Sequence, residues 1–189
     1  MTERSLETGR SNGGETGVLP RILFLDVDGV LTDGRVYYTD EGSEIKAFHV
    51  RDGLGLKLLM RAGVAVVIVT GRDSQAVVRR ARELGIEGVY QGVSDKGALC
   101  RRLLREKGLR GDEAACIGDD LPDLEIFREV GLRIAVADAA EEVRQAAHLV
   151  TERKGGHGAV REACEWLLRS TGKWPGELGK IGFTDLKSR

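Results

Sequence analysis

The sequence predicts an α/β fold, a Rossmann-like parallel sheet with helices on both faces. Three observations lead there. The apolar runs Ile22 to Leu25 and Val64 to Val69 are continuous rather than alternating, as in strands covered on both sides. Between such runs lie segments with helical spacing, such as Val77, Ala81 and Leu84. Strand and helix candidates then alternate along the chain, and consecutive strands joined through helices lie parallel in one sheet.

The elements follow in order. Residues 1–20 read as a flexible polar leader, and order is expected from Arg21. The strand Ile22 to Leu25 runs into an acidic, glycine-containing loop. Arg35 to Thr39 and Glu44 to Val50 flank Asp40-Glu41-Gly42-Ser43 and predict a β-hairpin. A helix through Leu54 and Leu58 is stopped by Gly63, which leads into the strand ending at Val69. Further short strands are predicted near Gly88–Tyr90, Ala114–Ile117, Arg133–Val136 and His148–Val150. Helices are predicted near Ala98–Lys107, Pro122–Val130 and Ala140–Ala146, and a last one through Val160, Cys164 and Leu167. Residues 21–170 therefore form the expected domain, and 171–189 read as a tail.

Composition narrows the function classes. With 29 basic and 30 acidic residues the formal net charge is -1, so no overall field attracts nucleic acid or anionic lipid. No apolar run reaches membrane-spanning length, and the leader lacks the apolar stretch of a signal peptide. Cys100, Cys116 and Cys164 are too scattered for a disulfide framework or a zinc site, so a reduced, cytoplasmic setting is expected.

In open parallel sheets ligands bind beyond the carboxyl ends of the strands, and reactive residues collect there in this sequence. Asp26-Val27-Asp28-Gly29 follows the first strand. One carboxylate there can attack phosphorus, and the other can protonate a leaving oxygen and then deprotonate water. Thr70-Gly71-Arg72 follows the second buried strand and is expected at a helix N-terminus, where a hydroxyl and backbone N–H groups suit phosphate oxygens. Ser94-Asp95-Lys96 opens a helix, and its lysine can hold a phosphoryl group beside the nucleophile. Gly118-Asp119-Asp120 ends a further strand, with Asp123 just beyond. Together with Asp26 and Asp28 these acids make an oxygen-rich site for a hard divalent cation, for which magnesium is expected. An acidic turn, a capping threonine and a solvated lysine are the plain alternatives for each cluster taken singly. The order Asp-x-Asp, Thr, Lys, Asp-Asp after four strand candidates favours chemistry.

This constellation resembles the haloacid dehalogenase (HAD) superfamily over about residues 21–168. The resemblance implies a HAD-like phosphatase with Asp26 as nucleophile and Asp28 as general acid/base. Thr70 and Lys96 would bind the transferring phosphoryl group. Asp26, the Asp28 backbone carbonyl and Asp119 would hold the metal, with Asp120 and Asp123 in support. Neither interval between the motifs has room for a cap domain, so the fold is expected to be capless, with an open site unless another subunit closes it.

Longer segments resemble the 3-deoxy-D-manno-octulosonate 8-phosphate (Kdo-8-phosphate) phosphatases. They are Leu25 to Gly34, Lys46-Ala47-Phe48-His49-Val50-Arg51-Asp52-Gly53, Tyr90-Gln91-Gly92 and Gly155-Gly156-His157-Gly158-Ala159-Val160-Arg161-Glu162. That resemblance implies a phosphoric monoester hydrolase of lipopolysaccharide inner-core synthesis, a homotetramer whose hairpins help to close neighbouring sites. Magnesium would be its cofactor, with manganese or cobalt as alternatives. Asp28, His49, Val50, Arg51, Asp52, Gly53, Gly71, Arg72, Arg80 and Lys96 would meet a small anionic sugar phosphate. Arginines suit such a ligand because they grip carboxylates in a forked geometry. His49 stands where the family often has asparagine. The Gly155–Gly158 loop could bring backbone close to a ligand or a neighbouring subunit, or could be a tight strand-to-helix connection. Two other readings stand beside this one: a phosphatase of a nine-carbon keto-sugar phosphate (2-keto-3-deoxynononic acid 9-phosphate), and a non-catalytic oligomerisation module, which would be expected to lack a catalytic aspartate or the lysine.

Overall fold

The computed structural model describes residues 17–180; most of the predicted leader and the end of the predicted tail lie outside the described residues. The apolar run after Arg21 forms β1 (Ile22–Leu25), whose four residues are all fully buried. Its neighbours are β4 (Ala65–Val69) and β6 (Ala114–Gly118), both parallel to it, with Leu25 opposite Ile68 and Ile117. With β5 (Gly88–Tyr90), β7 (Leu132–Ala135) and β8 (Leu149–Val150) the sheet runs β5-β4-β1-β6-β7-β8, every pairing parallel. The expected α/β architecture is therefore present.

The strand order reverses between β1 and β6, and right-handed crossovers then place the helices on opposite faces. Helices α1 (Val50–Arg61), α2 (Gln75–Leu84) and α6 (Ala159–Ser170) cover one face. Helices α3 (Lys96–Glu106), α4 (Leu124–Phe127) and α5 (Glu141–Ala146) cover the other. Val77, Ala81 and Leu84 form the buried stripe of α2, as their spacing predicts. Gly63, at φ 98°, ends α1 because only glycine takes that conformation without strain. The reversal point at the ends of β1 and β6 is where such sheets open a crevice.

Several boundaries differ from the sequence reading. The hairpin is shorter, β2 (Tyr37–Tyr38) paired antiparallel with β3 (Glu44–Ile45). Beyond Ile45 the chain turns inward at Lys46, and Val50 already begins α1. The helix predicted from Pro122 to Val130 is a 3-10 turn, Leu121–Asp123, followed by the single turn of α4. Asp120 caps that turn through Leu121 N–H at 2.8 Å, and Asp123 is drawn inward instead of continuing a solvent-facing helix. After Ser170 the chain forms α7 (Trp174–Lys180). Trp174 is buried, with the guanidinium of Arg169 4.6 Å and that of Arg161 5.6 Å from its ring centre.

Candidate active site

Asp26 and Asp28 emerge from the carboxyl end of β1, and Asp119 from the end of β6. Asp26 is buried at 7 % exposure, and its N–H donates to Ile117 O at 3.2 Å, which extends the β1–β6 ladder to the reactive residue. Lys96, the first residue of α3, is fixed by Asp95, whose carboxylate accepts from Ala98 N–H at 2.7 Å. From there its ammonium donates to Asp26 Oδ1 at 2.6 Å and to Asp123 Oδ1 at 2.7 Å. Thr70 closes β4 with its hydroxyl buried in the same crevice, accepting from Arg72 N–H at 3.3 Å. The loop Thr70-Gly71-Arg72 is not itself a helix start, because α2 begins only at Gln75. Gln91 of the Tyr90-Gln91-Gly92 segment holds that start by accepting from Ser74 N–H at 2.8 Å.

Glycines allow the acids to converge. A Cβ on Gly29 would lie 2.0 Å from Asp119 Oδ2, and one on Gly118 would lie 2.5 Å from the Asp123 Cβ. The Gly155–Gly158 loop is folded onto the catalytic loop. Gly156 N–H donates to Val30 O at 2.9 Å, and a Cβ on Gly155 would meet Gly29 O at 1.6 Å. The loop is also the short connection from β8 to α6.

Ligand oxygens of Asp26, Asp119 and Asp123 all lie within 4.8 Å of one another. Asp123 is fully engaged, by Lys96 on one oxygen and on the other by the N–H groups of Asp119 at 2.9 Å and Asp120 at 3.3 Å. Asp119 Oδ1, by contrast, is buried without a hydrogen-bond partner. Burial and the neighbouring Asp123 push the Asp26 carboxyl up to about 7 against the pull of Lys96. Burial and the charges of Asp26 and Asp123 push Asp119 up to about 8. Lys96 is held protonated by its two carboxylates. Crowded carboxylates with an unpartnered buried oxygen fit a hard divalent cation on Asp26 and Asp119, with Asp123 orienting its neighbours.

The residues expected to meet substrate are divided among several places. Asp28 and Arg72 stand at the mouth of the crevice, Arg72 Nε 4.0 Å from Asp28 Oδ2. The hairpin covers that mouth: Arg72 donates to Tyr38 Oη at 3.2 Å and to Glu44 at 3.1 Å, and Lys46 donates to Asp28 Oδ1. Arg80 lies in a groove between hairpin and α2, paired with Glu83 at 3.2 Å and 6.0 Å from the Phe48 ring centre. Gly53 makes room for it, since a Cβ there would be 2.4 Å from the guanidinium. Arg51 lines a separate groove between α1 and α6, with Leu54, Arg153 and Arg161, and Val50 points outward. Asp52 is 1 % exposed, and its carboxylate accepts from Arg161 N–H at 2.7 Å. It caps α6, whose own N-cap position is a glycine, Gly158. His49 Nδ1 sits 3.9 Å from Asp52 Oδ2. Lys46 and Glu44 are the residues the sequence reading did not single out, although Lys46 begins one of the segments that carry the family resemblance.

Paired aspartates after the first strand, a lysine between two carboxylates and an acidic pair after the strand across the reversal point define a haloacid dehalogenase-like hydrolase. A sequence profile of haloacid dehalogenase-like hydrolases matches residues 89–162. The chain is 45 % identical over 159 residues to the 3-deoxy-D-manno-octulosonate 8-phosphate phosphatase of Yersinia pestis, covering 84 % of this chain and 85 % of that one. With the enzyme of the same name from Haemophilus influenzae the identity is 43 % over 153 residues, 81 % of this chain and 85 % of the other. The crystal structure of the Moraxella catarrhalis phosphatase, in complex with magnesium, phosphate and KDO, superposes with a TM-score of 0.83 at 42 % identity, over 86 % of this chain and 93 % of that one. A cobalt-bound structure of the Haemophilus influenzae enzyme gives 0.78 at 42 % identity, over 82 % and 91 %. The chain belongs to the family of 3-deoxy-D-manno-octulosonate 8-phosphate phosphatases.

Proposed function

We propose that this chain is a magnesium-dependent phosphatase that converts Kdo-8-phosphate to Kdo and phosphate in lipopolysaccharide inner-core synthesis. The observation that carries the chemistry is Asp26 at the end of β1, 2.6 Å from a buried lysine and within one cluster of carboxylates.

Asp26 is the nucleophile. Its carboxylate oxygen attacks phosphorus, the ester P–O bond breaks, and Asp28 gives its proton to the departing sugar oxygen. Asp28 then takes a proton from the water that attacks the aspartyl phosphate, which releases phosphate and restores Asp26. Lys96 and the Thr70 hydroxyl grip the transferring group where its charge develops. The cation, when bound by Asp26, the Asp28 carbonyl and Asp119, supplies the positive charge that lets a phosphate dianion approach two carboxylates. Arg72 meets the anionic substrate at the mouth. Among the described residues no cap domain covers the crevice: the hairpin, α1 and β4 lie between Asp28 and Thr70, and α2 and β5 between Thr70 and Lys96. Tyr37, Tyr38, Ile45, Val50 and Leu54 expose apolar surface on the hairpin and the start of α1. A homotetramer that buries this surface would bring Val50 and Arg51 to a neighbour's site. Among the described residues no helix is long and apolar enough to cross a membrane.

The test is phosphate release with magnesium from Kdo-8-phosphate, the nine-carbon analogue and hexose phosphates, with and without a chelator. Chelator-sensitive preference for Kdo-8-phosphate is expected. Preference for the longer sugar would keep the chemistry and overturn the substrate, and absence of any turnover would favour a non-catalytic role. Light scattering that shows a fully active monomer would remove the tetramer.

A further inference from the structure

Four charged groups form a ring over the crevice. Lys46 donates to Asp28 Oδ1 and lies 3.5 Å from Glu44 Oε1. Glu44 accepts from Arg72 at 3.1 Å, and Arg72 Nε returns to within 4.0 Å of Asp28 Oδ2. Lys46 is the covered member, its side chain 1 % exposed, against 44 % for Arg72. A lysine side chain loses much rotamer freedom and hydration when buried this far, so such burial calls for a compensating contact. The contact it makes is with the second aspartate of the catalytic loop, and that contact leaves the two oxygens of Asp28 unequal. Oδ1 is held by the ammonium, whereas Oδ2 is buried and has no hydrogen-bond partner.

We propose that Lys46 is a positioning residue for the phosphatase reaction: by holding Asp28 Oδ1 it turns Oδ2 toward the ester oxygen that must be protonated. The inference rests on the function proposed above. Glu44 braces the lysine from the far side and ties it to Arg72, so the hairpin sets the orientation of the proton donor as well as covering the crevice. A carboxyl free to rotate would spend most of its time with neither oxygen on the leaving group, and small losses of alignment are costly in rate.

The experiment compares an alkyl phosphate with an aryl phosphate. The sugar alkoxide needs a proton to depart, whereas p-nitrophenolate leaves without one. Lys46→Met is expected to lower kcat on Kdo-8-phosphate by about 10- to 100-fold, part of the range that general-acid catalysis contributes, and to change kcat on p-nitrophenyl phosphate by less than about threefold. Lys46→Arg, which keeps a charged donor, is expected to recover part of the alkyl rate. Equal losses on both substrates would mean a structural or phosphoryl-binding role and overturn the assignment. So would an effect on KM alone. Where Lys46→Met does not fold, Lys46→Gln carries the test with a shorter donor: the alkyl-to-aryl ratio falls, and an unchanged ratio overturns the assignment. The wild-type chain is assayed on both esters first. Its failure on the sugar phosphate would strike the proposed function, and only a variant ratio that does not move, in a chain active on both, strikes Lys46.

Discussion

Gly155→Ala tests whether the loop before α6 supports the catalytic loop. The added Cβ would lie 1.6 Å from Gly29 O and 2.5 Å from its carbonyl carbon, whereas ordinary contact begins at 3.4 Å. The shortfall of 1.8 Å falls between two backbones, so no side chain can rotate to absorb it. Overpacking of this kind costs about 1–3 kcal/mol. The hydrogen bond from Gly156 N–H to Val30 O, 2.9 Å long, would be strained or lost for about 0.5–1.5 kcal/mol more. The sum, about 1.5–4.5 kcal/mol, corresponds to a melting point lower by about 3–18 °C in a chain of this size. Because Gly29 adjoins Asp28, the same displacement misplaces the proton donor, and kcat should fall by about 100-fold. Gly63→Ala is the control, at φ 98° with nothing within 4 Å of the new Cβ. It should cost about 1–2 kcal/mol through backbone strain alone and leave kcat unchanged. Thermal melts and steady-state kinetics on the two variants decide the matter. A Gly155→Ala chain that melts no lower than Gly63→Ala and keeps wild-type kcat would refute the reasoning.

Asp52→Ala removes the carboxylate that caps α6 from 109 residues away in sequence. It should lower stability by about 1–2 kcal/mol, read from urea denaturation, and an unshifted midpoint would show that the cap contributes nothing. Asp26→Asn should abolish turnover in a chain with native circular dichroism, and retained activity would remove Asp26 from the nucleophile role. The metal-free chain should depend on pH in a definite direction. Asp26 and Asp119 titrate near about 7 and about 8, both above the ordinary 3.8 that they regain on unfolding. Their contribution to stability is full below about pH 4 and is lost as the pH rises through about 7 to 8, where the fold must hold them ionised. The melting point should therefore fall from about pH 4 to about pH 8 and level off above it, and magnesium, which binds the ionised forms, should narrow the fall. An equal fall with and without magnesium would exclude this cluster as the metal site.

The sheet was legible because its signals are local. Ile22–Leu25 and Gly88–Tyr90 have the predicted bounds, since a continuous apolar run and a glycine break need no tertiary context. The gathering of Asp26, Asp28, Thr70, Lys96 and Asp119 was legible because strand ends in a parallel sheet share one edge. Elements that answer to distant partners were less so. The strand predicted through Val50 stops at Ile45 because Lys46 turns in toward Asp28, 18 residues earlier in the chain. The helix predicted from Pro122 is broken up because Asp123 turns in toward Lys96. Asp52 reads as a ligand-facing residue from its motif, yet it is buried against the backbone of α6. Nothing in local periodicity reports a contact of that span.

The distribution of partners among the acids explains why the site can be both stable and reactive. Three carboxylates within 4.8 Å repel one another, and a fold that neutralised them all would leave no nucleophile. Here the neutralisation is uneven. Asp123 takes a share of Lys96 and two backbone N–H groups, which makes it a fixed part of the scaffold. Asp26 has the other share of Lys96 and one backbone N–H, that of Val27, and Asp119 Oδ1 has no partner. The strain that remains is concentrated on the two groups at the ends of β1 and β6, and both carry raised pKa values as a result. A divalent cation held there would relieve that strain where the proposed nucleophile must be ionised, and the energy of crowding the acids would become affinity for the metal. The glycines at 29, 118 and 155 make this possible, because each admits a backbone or carboxylate where any side chain would force the acids apart.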